Sequence, residues 1–121
     1  MKTIIAGSRT ITDYATVLTA IKNSQFVITE VITGLAEGPD TIGMVWGINN
    51  HLPIKKFPAL WNVYGKQAGF LRNIEMLKYA DALIAIWDGK SKGTKHTINS
   101  AKKFGILTHI ELVTRTRTMG K

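Results

Sequence analysis

Short apolar runs that alternate with helix-length segments constrain the fold of this chain more than any other feature. Residues 82–87, Ala-Leu-Ile-Ala-Ile-Trp, are apolar at every position, which is typical of a strand buried on both faces of a parallel sheet. Four further runs with strand character lie at residues 3–6, 26–33, 53–58 and 106–112. Segments of helical length and spacing separate the runs, at residues 13–23, 39–50, 65–79 and 93–104.

This alternation of strands and helices predicts a single α/β domain. Parallel neighbouring strands need a long crossover, and right-handed helical crossovers cover both faces of the sheet. We therefore expect one Rossmann-like domain, with a parallel sheet of about five strands and helices on both faces. The domain is expected to span residues 1–112, and the basic segment 113–121 is expected to be a flexible C-terminal tail.

The composition argues against several classes of protein. The chain has no cysteine, which excludes disulfides and thiolate metal sites. No apolar run approaches the roughly 18 residues of a membrane span, and the first residues lack the apolar region and cleavage site of a signal peptide. His51, His96 and His109 show neither metal-ligand nor catalytic-triad spacing. We therefore predict no membrane segment, no metal, no cofactor and a cytoplasmic location.

The charge balance favours an anionic partner. Lysine and arginine number 16 against 8 acidic residues, a formal net charge of +8. Such a balance suits nucleic acid on the surface or a small phosphorylated ligand in a pocket. A basic domain without a specific anionic partner is the third interpretation.

Turns that contain glycine follow the first, second and fourth predicted strands, at residues 7–9, 34–40 and 88–94. Because the carboxyl ends of parallel strands meet at one edge of the sheet, these turns are expected to surround one ligand site. Glycine lets the backbone approach a ligand closely, and amide groups at a helix N-terminus attract anions. The residues expected to bind the ligand there are Gly7, Ser8, Arg9, Gly34, Gly38, Asp40, Gly89, Ser91, Gly93 and Thr94.

Each of these residues also has a purely structural interpretation. The glycines can serve turn geometry alone, and Arg9 can be a solvated turn residue. Asp40 either accepts from ribose hydroxyls or complements the helix dipole, and Thr94 either binds phosphate or caps a helix. Residues 89–94 are not a Walker A loop, because the Lys-Ser/Thr pair does not follow the second glycine. We therefore predict no ATP or GTP hydrolysis.

The segment 61–73 mixes aromatic, small and polar residues around a predicted helix start. Trp61 or Tyr64 is expected to stack on a base, and Arg72 and Asn73 are expected to reach phosphate or sugar. The structural alternatives are a core aromatic residue and an ion pair between Arg72 and Glu75 at i,i+3 spacing.

These motifs occur in a fixed order along the chain: residues 5–9 (IAGSR), 33–40 (TGLAEGPD), 57–73 (FPALWNVYGKQAGFLRN) and 80–94 (ADALIAIWDGKSKGT). Over residues 3–107 the ordered set resembles the YspA/YpsA-related branch of the SLOG superfamily, Rossmann-like domains related to the Lonely-guy and DprA proteins. The resemblance implies a nucleotide or nucleotide-derived ligand, of the cyclic nucleotide or ADP-ribose derivative class, at the glycine-rich edge. It also implies a homo-oligomer.

The same resemblance bears on whether the ligand is cleaved. Lonely-guy enzymes carry Pro-Gly-Gly-x-Gly-Thr-x-x-Glu, and in this chain Thr97 stands where that catalytic Glu would be. The resemblance therefore implies a protein that senses or sequesters its ligand without cutting it. One such role is that of a phage anti-defence protein that acts in the host cytoplasm. A nucleotide N-glycosidase and a single-stranded nucleic-acid binder are the alternatives.

Overall fold

The computed structural model describes residues 1–114 and contains one five-stranded sheet. All pairings between neighbouring strands are parallel, and the strand order is β3-β2-β1-β4-β5. The strands are β1 (Lys2–Gly7), β2 (Glu30–Thr33), β3 (Ile54–Lys56), β4 (Ala82–Trp87) and β5 (Leu107–Leu112). The helices are α1 (Tyr14–Ser24), α2 (Pro39–Asn49), α3 (Trp61–Tyr64), α4 (Ala68–Tyr79) and α5 (Lys92–Lys103), with a 3₁₀ turn at Gly65–Gln67.

Helices cover both faces of the sheet, as the strand–helix alternation predicted. Successive strand residues point to opposite faces, so Ile4 belongs to one buried cluster and Ile5 to the other. The first cluster joins the sheet to α4 and α5, through residues such as Met76 and Ile98. The second joins it to α1, and Trp46 of α2 packs against the same cluster. The predicted fold class, a single Rossmann-like α/β domain, is confirmed.

Three predicted elements differ clearly in extent from those observed. The predicted strand 53–58 is observed only as Ile54–Lys56. Only Glu30–Thr33 of the predicted strand 26–33 pairs with a neighbouring strand. Phe26 and Ile28 instead pack on the second cluster from the connection after α1. Phe26 and Ile28 therefore contribute to core packing here without extending the β-ladder.

The predicted helix 65–79 is divided into a short helix, a 3₁₀ turn and α4, which begins at Ala68. Gly65 has a φ of +61° and ends α3. Met76 and Leu77 of α4 are buried, whereas Leu71 is 39% exposed. The second half of α4 therefore supplies its contact with the core.

The last described residues continue to contact the sheet. The N–H of Val113 donates to the carbonyl of Trp87 at 2.7 Å, and the Val113 side chain packs against the second cluster. The rest of the predicted tail, from residue 115 onward, lies outside the described residues. Among residues 1–114, no helix combines the length and the apolar character that crossing a bilayer requires.

Candidate functional site

A cavity of about 440 Å³ lies at the carboxyl end of the sheet, where strand order reverses. From β1 the chain proceeds outward to β2 and β3, then returns to place β4 on the other side of β1. The crevice at such a reversal is where doubly wound α/β domains bind ligands. Its lining residues are Ala6, Gly7, Ser8, Arg9, Thr10, Ala36, Asp40, Trp61, Lys66, Gly69, Phe70, Arg72, Asn73, Ala85, Asp88, Ser91, Gly93, Thr94 and Thr97. We call this space the switch-point compartment.

Ser8 ties the turns after β1 and β4 together beside the compartment. Its N–H donates to the carbonyl of Ile86 at 2.9 Å, and its hydroxyl accepts from the N–H of Asp88 at 3.1 Å. A side chain at Gly7 would overlap the same Ile86 carbonyl. Gly7 and Ser8 therefore line the compartment as predicted and also hold its two walls together.

Asp88 organises the turn that leads into α5. Its carboxylate accepts the N–H groups of Lys90 and Ser91, both at 2.8 Å. These two hydrogen bonds are the main reason that the pKa of Asp88 lies below its usual value. Asp88 is therefore ionised at neutral pH and places one negative charge at the compartment.

Asp40, in the first turn of α2, is a buried carboxyl group that lines the compartment. Burial raises its pKa from 3.8 to about 6, against the opposing effects of Arg72 and of backbone N–H groups that include Gly34. The Gly34 N–H donates to Oδ2 of Asp40 at 3.1 Å. The carboxyl group thus pins the turn after β2 to the start of α2.

Arg72 of α4 reaches across to that same turn. Its Nη1 donates to the carbonyl of Gly34, and its Nε donates to Oδ1 of Asn73 at 2.9 Å. Burial lowers the pKa of Arg72, Asp40 partly reverses this effect, and the like charge of Arg9 lowers the pKa further. The alternative pairing with Glu75 is not formed, because Glu75 lies 3.8 Å from Lys78 instead.

A row of hydrogen bonds continues from Arg72 across the compartment to α5. The amide nitrogen of Asn73 donates to the hydroxyl of Thr97 at 3.0 Å, and that hydroxyl donates to the carbonyl of Gly93 at 3.1 Å. Thr97 is buried and lines the compartment. The position that the resemblance associates with a catalytic Glu is therefore part of a polar row that joins α4 to α5.

Two of the predicted glycines allow close packing within the protein. A Cβ at Gly34 would stand 2.6 Å from Nη1 of Arg72, so only glycine admits the guanidinium at this position. Gly38 has a φ of +81°, and a Cβ there would lie 3.0 Å from the carbonyl oxygens of Ser8 and Ile11. Gly38 therefore allows the two turns to pack and does not line the switch-point compartment.

The start of α5 differs from the expected capping arrangement. Ser91 is the N-cap residue, and its hydroxyl accepts the N–H of Thr94 at 3.4 Å. The Thr94 hydroxyl lies 3.2 Å from the Ser91 hydroxyl. The prediction that Thr94 caps the helix is wrong, because the helix begins at Lys92 and the cap precedes it. Both side chains and Gly93 line the compartment.

The two predicted stacking residues have different locations. Trp61 is 52% exposed and lines the compartment. Tyr64, one turn later, and Gly89 are absent from its lining among the described residues. Sequence reasoning missed Lys66 and Phe70, although both belong to the segment 61–73 whose mixed composition drew attention to it. Lys66 lies in the 3₁₀ turn and Phe70 in the first turn of α4, and their spacing in the sequence alone does not show that both line the cavity.

The charges around the compartment favour an anion. Arg9, Lys66 and Arg72 line it against the two carboxyl groups of Asp40 and Asp88. Within residues 1–114, Arg9 has no ion-pair partner. In the same part of the chain, no group of three His, Asp or Glu side chains is arranged to hold a metal ion.

The chain is similar in sequence to a phage protein. No protein-family model matches the chain. The Gene 61 protein of Mycobacterium phage D29 is 36% identical over 115 residues, and the match covers 87% of this chain and 91% of that protein. This chain belongs to the Gene 61 protein family.

A solved structure shares the fold of this Gene 61 family member. DNA processing protein A (DprA) from Streptococcus pneumoniae matches with a TM-score of 0.72 and 17% identity, over 90% of this chain and 49% of the DprA chain. The chain thus spans about half the length of DprA, and the likeness shows a common DprA-like Rossmann fold. That fold agrees with the superfamily that the sequence motifs resemble, while the YspA/YpsA branch stays a prediction.

Proposed function

We propose that this protein binds a nucleotide or nucleotide-derived ligand in the switch-point compartment and leaves it intact. The observation that carries the proposal is a cavity of about 440 Å³ at the reversal of strand order, lined by Arg9, Lys66 and Arg72. This volume lies in the roughly 300–1,000 Å³ range of small-molecule sites. The cations suit phosphate, and the half-exposed ring of Trp61 suits a base.

The chemistry of the side chain at residue 97 supports binding of the ligand without cleavage. Cleavage of an N-glycosidic bond needs a group that exchanges a proton or stabilises developing positive charge. The hydroxyl of Thr97 carries no charge, and it is engaged with Asn73 and the Gly93 carbonyl. We therefore assign Thr97 to the architecture of the pocket.

The biological role that fits best is sensing or sequestration of a nucleotide signal. The phage origin of the Gene 61 protein supports action during infection, in the host cytoplasm. A phage protein that holds a cyclic nucleotide or an ADP-ribose derivative would keep that signal from host defence. We also propose a homo-oligomer, since Trp61 and Phe70 leave about half of their surface exposed at the rim of the compartment.

One experiment separates binding from cleavage. The purified full chain is incubated with mono-, di- and cyclic nucleotides and with ADP-ribose derivatives, then separated from free ligand, denatured and analysed by mass spectrometry. We expect at least one compound to be recovered intact from the protein fraction. Release of free base would overturn the proposal, as would the absence of binding to every compound.

A pair of charge variants tests the location of the site. Arg9→Ala removes an exposed cation at the compartment, and Lys22→Ala removes an exposed cation from α1. A hydrogen bond between a charged group and its partner contributes about 1.5–3 kcal/mol, so Arg9→Ala should weaken binding by about 10- to 100-fold. Lys22→Ala should change it less than twofold. Arg72 is less suited to this test, because it also holds the Gly34 carbonyl.

A nucleotide N-glycosidase is the second candidate, and the two carboxyl groups of the compartment favour it. The pKa of Asp40 is raised and that of Asp88 is lowered, and carboxyl pairs of opposite shift often divide acid and base roles. Free base that appears with wild-type protein and disappears with Asp40→Asn would support this function.

A single-stranded nucleic-acid binder is the third candidate. The net charge of +8 favours it, and the structural neighbour with the same fold is named a DNA processing protein. Its signature would be binding to oligonucleotides with steep salt dependence and weak competition by mononucleotides. Oligonucleotide binding of that kind, with no mononucleotide retained, would replace our first proposal.

A further inference from the structure

A second cavity, of about 300 Å³, adjoins the switch-point compartment. It lies beyond the ends of β2 and β3, and we call it the β2–β3 compartment. The residues that line it alone are Gly34, Leu35, Glu37, Pro58 and Ala59. Arg9, Ala36, Trp61 and Arg72 line both compartments and therefore form a shared boundary. Each compartment alone reaches the lower end of the volume range of ligand sites.

The shared boundary carries two arginines that repel each other. Arg9 and Arg72 line both compartments, and the like charge of Arg9 contributes to lowering the pKa of Arg72. Asp40 offsets part of the charge of Arg72, whereas Arg9 has no ion-pair partner within residues 1–114. A phosphate between the two groups would relieve the repulsion and accept hydrogen bonds from both.

The β2–β3 compartment has a different chemical character. The compartment contains one carboxylate, that of the exposed Glu37. The other side chains that line this compartment alone are the apolar groups of Leu35, Pro58 and Ala59. A carboxylate accepts hydrogen bonds from sugar hydroxyls and repels a further phosphate. When a phosphate occupies Arg9 and Arg72, the remaining walls of the compartment therefore suit a neutral group with hydroxyls and disfavour an additional phosphate.

We propose that the ligand has two organic parts joined by phosphate: a nucleoside in the switch-point compartment, a phosphate or diphosphate at Arg9 and Arg72, and a sugar-sized group in the β2–β3 compartment. This inference rests on the proposed function and narrows its ligand to the class of nucleoside diphosphate sugars and related two-part molecules. Trp61 lines both compartments, so its ring would contact the ligand at the point where its two organic parts are joined.

Matched ligand pairs that span three bases test the inference. Calorimetry with the full chain compares ADP with ADP-ribose, GDP with GDP-mannose and UDP with UDP-glucose, and each diphosphate also with its triphosphate. For the base that binds, we expect the added sugar to tighten binding at least tenfold and the added phosphate to give no gain. Equal affinity of diphosphate and diphosphate sugar would overturn the two-part ligand and leave the proposed function standing. If no compound binds, both proposals fall.

Variants in the β2–β3 compartment test whether the gain in affinity from the added sugar comes from the residues that line this compartment. Ala59→Phe fills the space, so the ratio of diphosphate to diphosphate-sugar dissociation constants should fall to near one. Glu37→Arg, at an exposed position that tolerates substitution, should remove the sugar gain and make the triphosphate the tighter ligand. Ala15→Phe, on the exposed side of α1, adds the same ring elsewhere and should preserve the wild-type ratio. Unchanged ratios in both compartment variants would contradict the assignment.

Discussion

The buried carboxyl of Asp40 makes the stability of this protein depend on pH in a definite direction. Asp40 is 5% exposed, and burial raises its pKa from 3.8 to about 6. Arg72 and the N–H groups of Ala36, Gly34 and Gly7 favour the ionised form, but the loss of water outweighs them. The folded protein therefore holds the proton of Asp40 more tightly than the unfolded chain does.

The sign and size of the effect follow from linkage. A raised pKa contributes stability that is fully present below pH 3.8 and is lost as the pH rises through about 6. Each pKa unit corresponds to about 1.4 kcal/mol. Asp40 of the unfolded chain is already more than half ionised at pH 4, so the free energy of unfolding should fall by about 2 kcal/mol between pH 4 and pH 7. Other carboxyl groups, including Asp88 with its lowered pKa, act in the opposite direction, so the Asp40 effect must be isolated.

Urea unfolding of wild-type protein and Asp40→Asn at pH 4, 5, 6 and 7 isolates the contribution of Asp40 to stability. The Asn variant lacks the titration, so the stability of the wild type relative to Asp40→Asn should fall by about 2 kcal/mol across this range. Asp13→Asn, at an exposed carboxylate just before α1, should give a profile parallel to the wild type. Parallel profiles for wild type and Asp40→Asn would show that burial does not raise the pKa of Asp40. A relative stability that rises with pH would mean that the attraction to Arg72 outweighs burial.

Three further predictions concern residues that line the site. In urea unfolding, Gly34→Ala should lower the free energy of unfolding by about 1–3 kcal/mol, because the added methyl would stand 2.6 Å from a guanidinium nitrogen of Arg72. Gly93→Ala is the control and should not destabilise the protein, since its added methyl meets nothing within 4 Å. Thr97→Val removes the hydrogen-bond acceptor of the Asn73 amide and should cost about 1–2 kcal/mol by thermal and urea unfolding, whereas no loss would show that water replaces it. Trp61→Ala should weaken binding of the ligand about tenfold, measured by calorimetry with the nucleotide that the wild type binds, and should change the melting temperature little. An unchanged affinity would exclude stacking of a base on this ring.

The order of elements was predictable from sequence because it depends on local periodicity. The run at Ala82–Trp87 is apolar at every position and forms the strand β4, buried along most of its length. Parallel strands then bring the turns after β1, β2 and β4 to one edge. Most of the predicted binding residues therefore line the switch-point compartment, namely Gly7, Ser8, Arg9, Asp40, Trp61, Arg72, Asn73, Ser91, Gly93 and Thr94. Gly34 lines the adjoining β2–β3 compartment, and whether any of them binds a ligand stays a prediction.

The roles of those residues were decided by tertiary structure. Arg72 and Gly34 are 38 positions apart, and only the tertiary fold brings the guanidinium of α4 onto the glycine that follows β2. The raised pKa of Asp40 has the same origin, since it comes from burial under elements distant in the chain. Residue spacing along one helix carries no information on such contacts.

The alternation of strands and helices is readable in the amino-acid sequence, as are the edge where glycine-rich turns meet and the absence of a carboxylate at residue 97. Packing of the elements places Lys66, but not Tyr64, at the cavity and puts Arg9 and Arg72 between the two compartments. Element type follows from local hydrophobic periodicity, whereas the shape and charge of a cavity depend on which distant side chains the packed elements bring together.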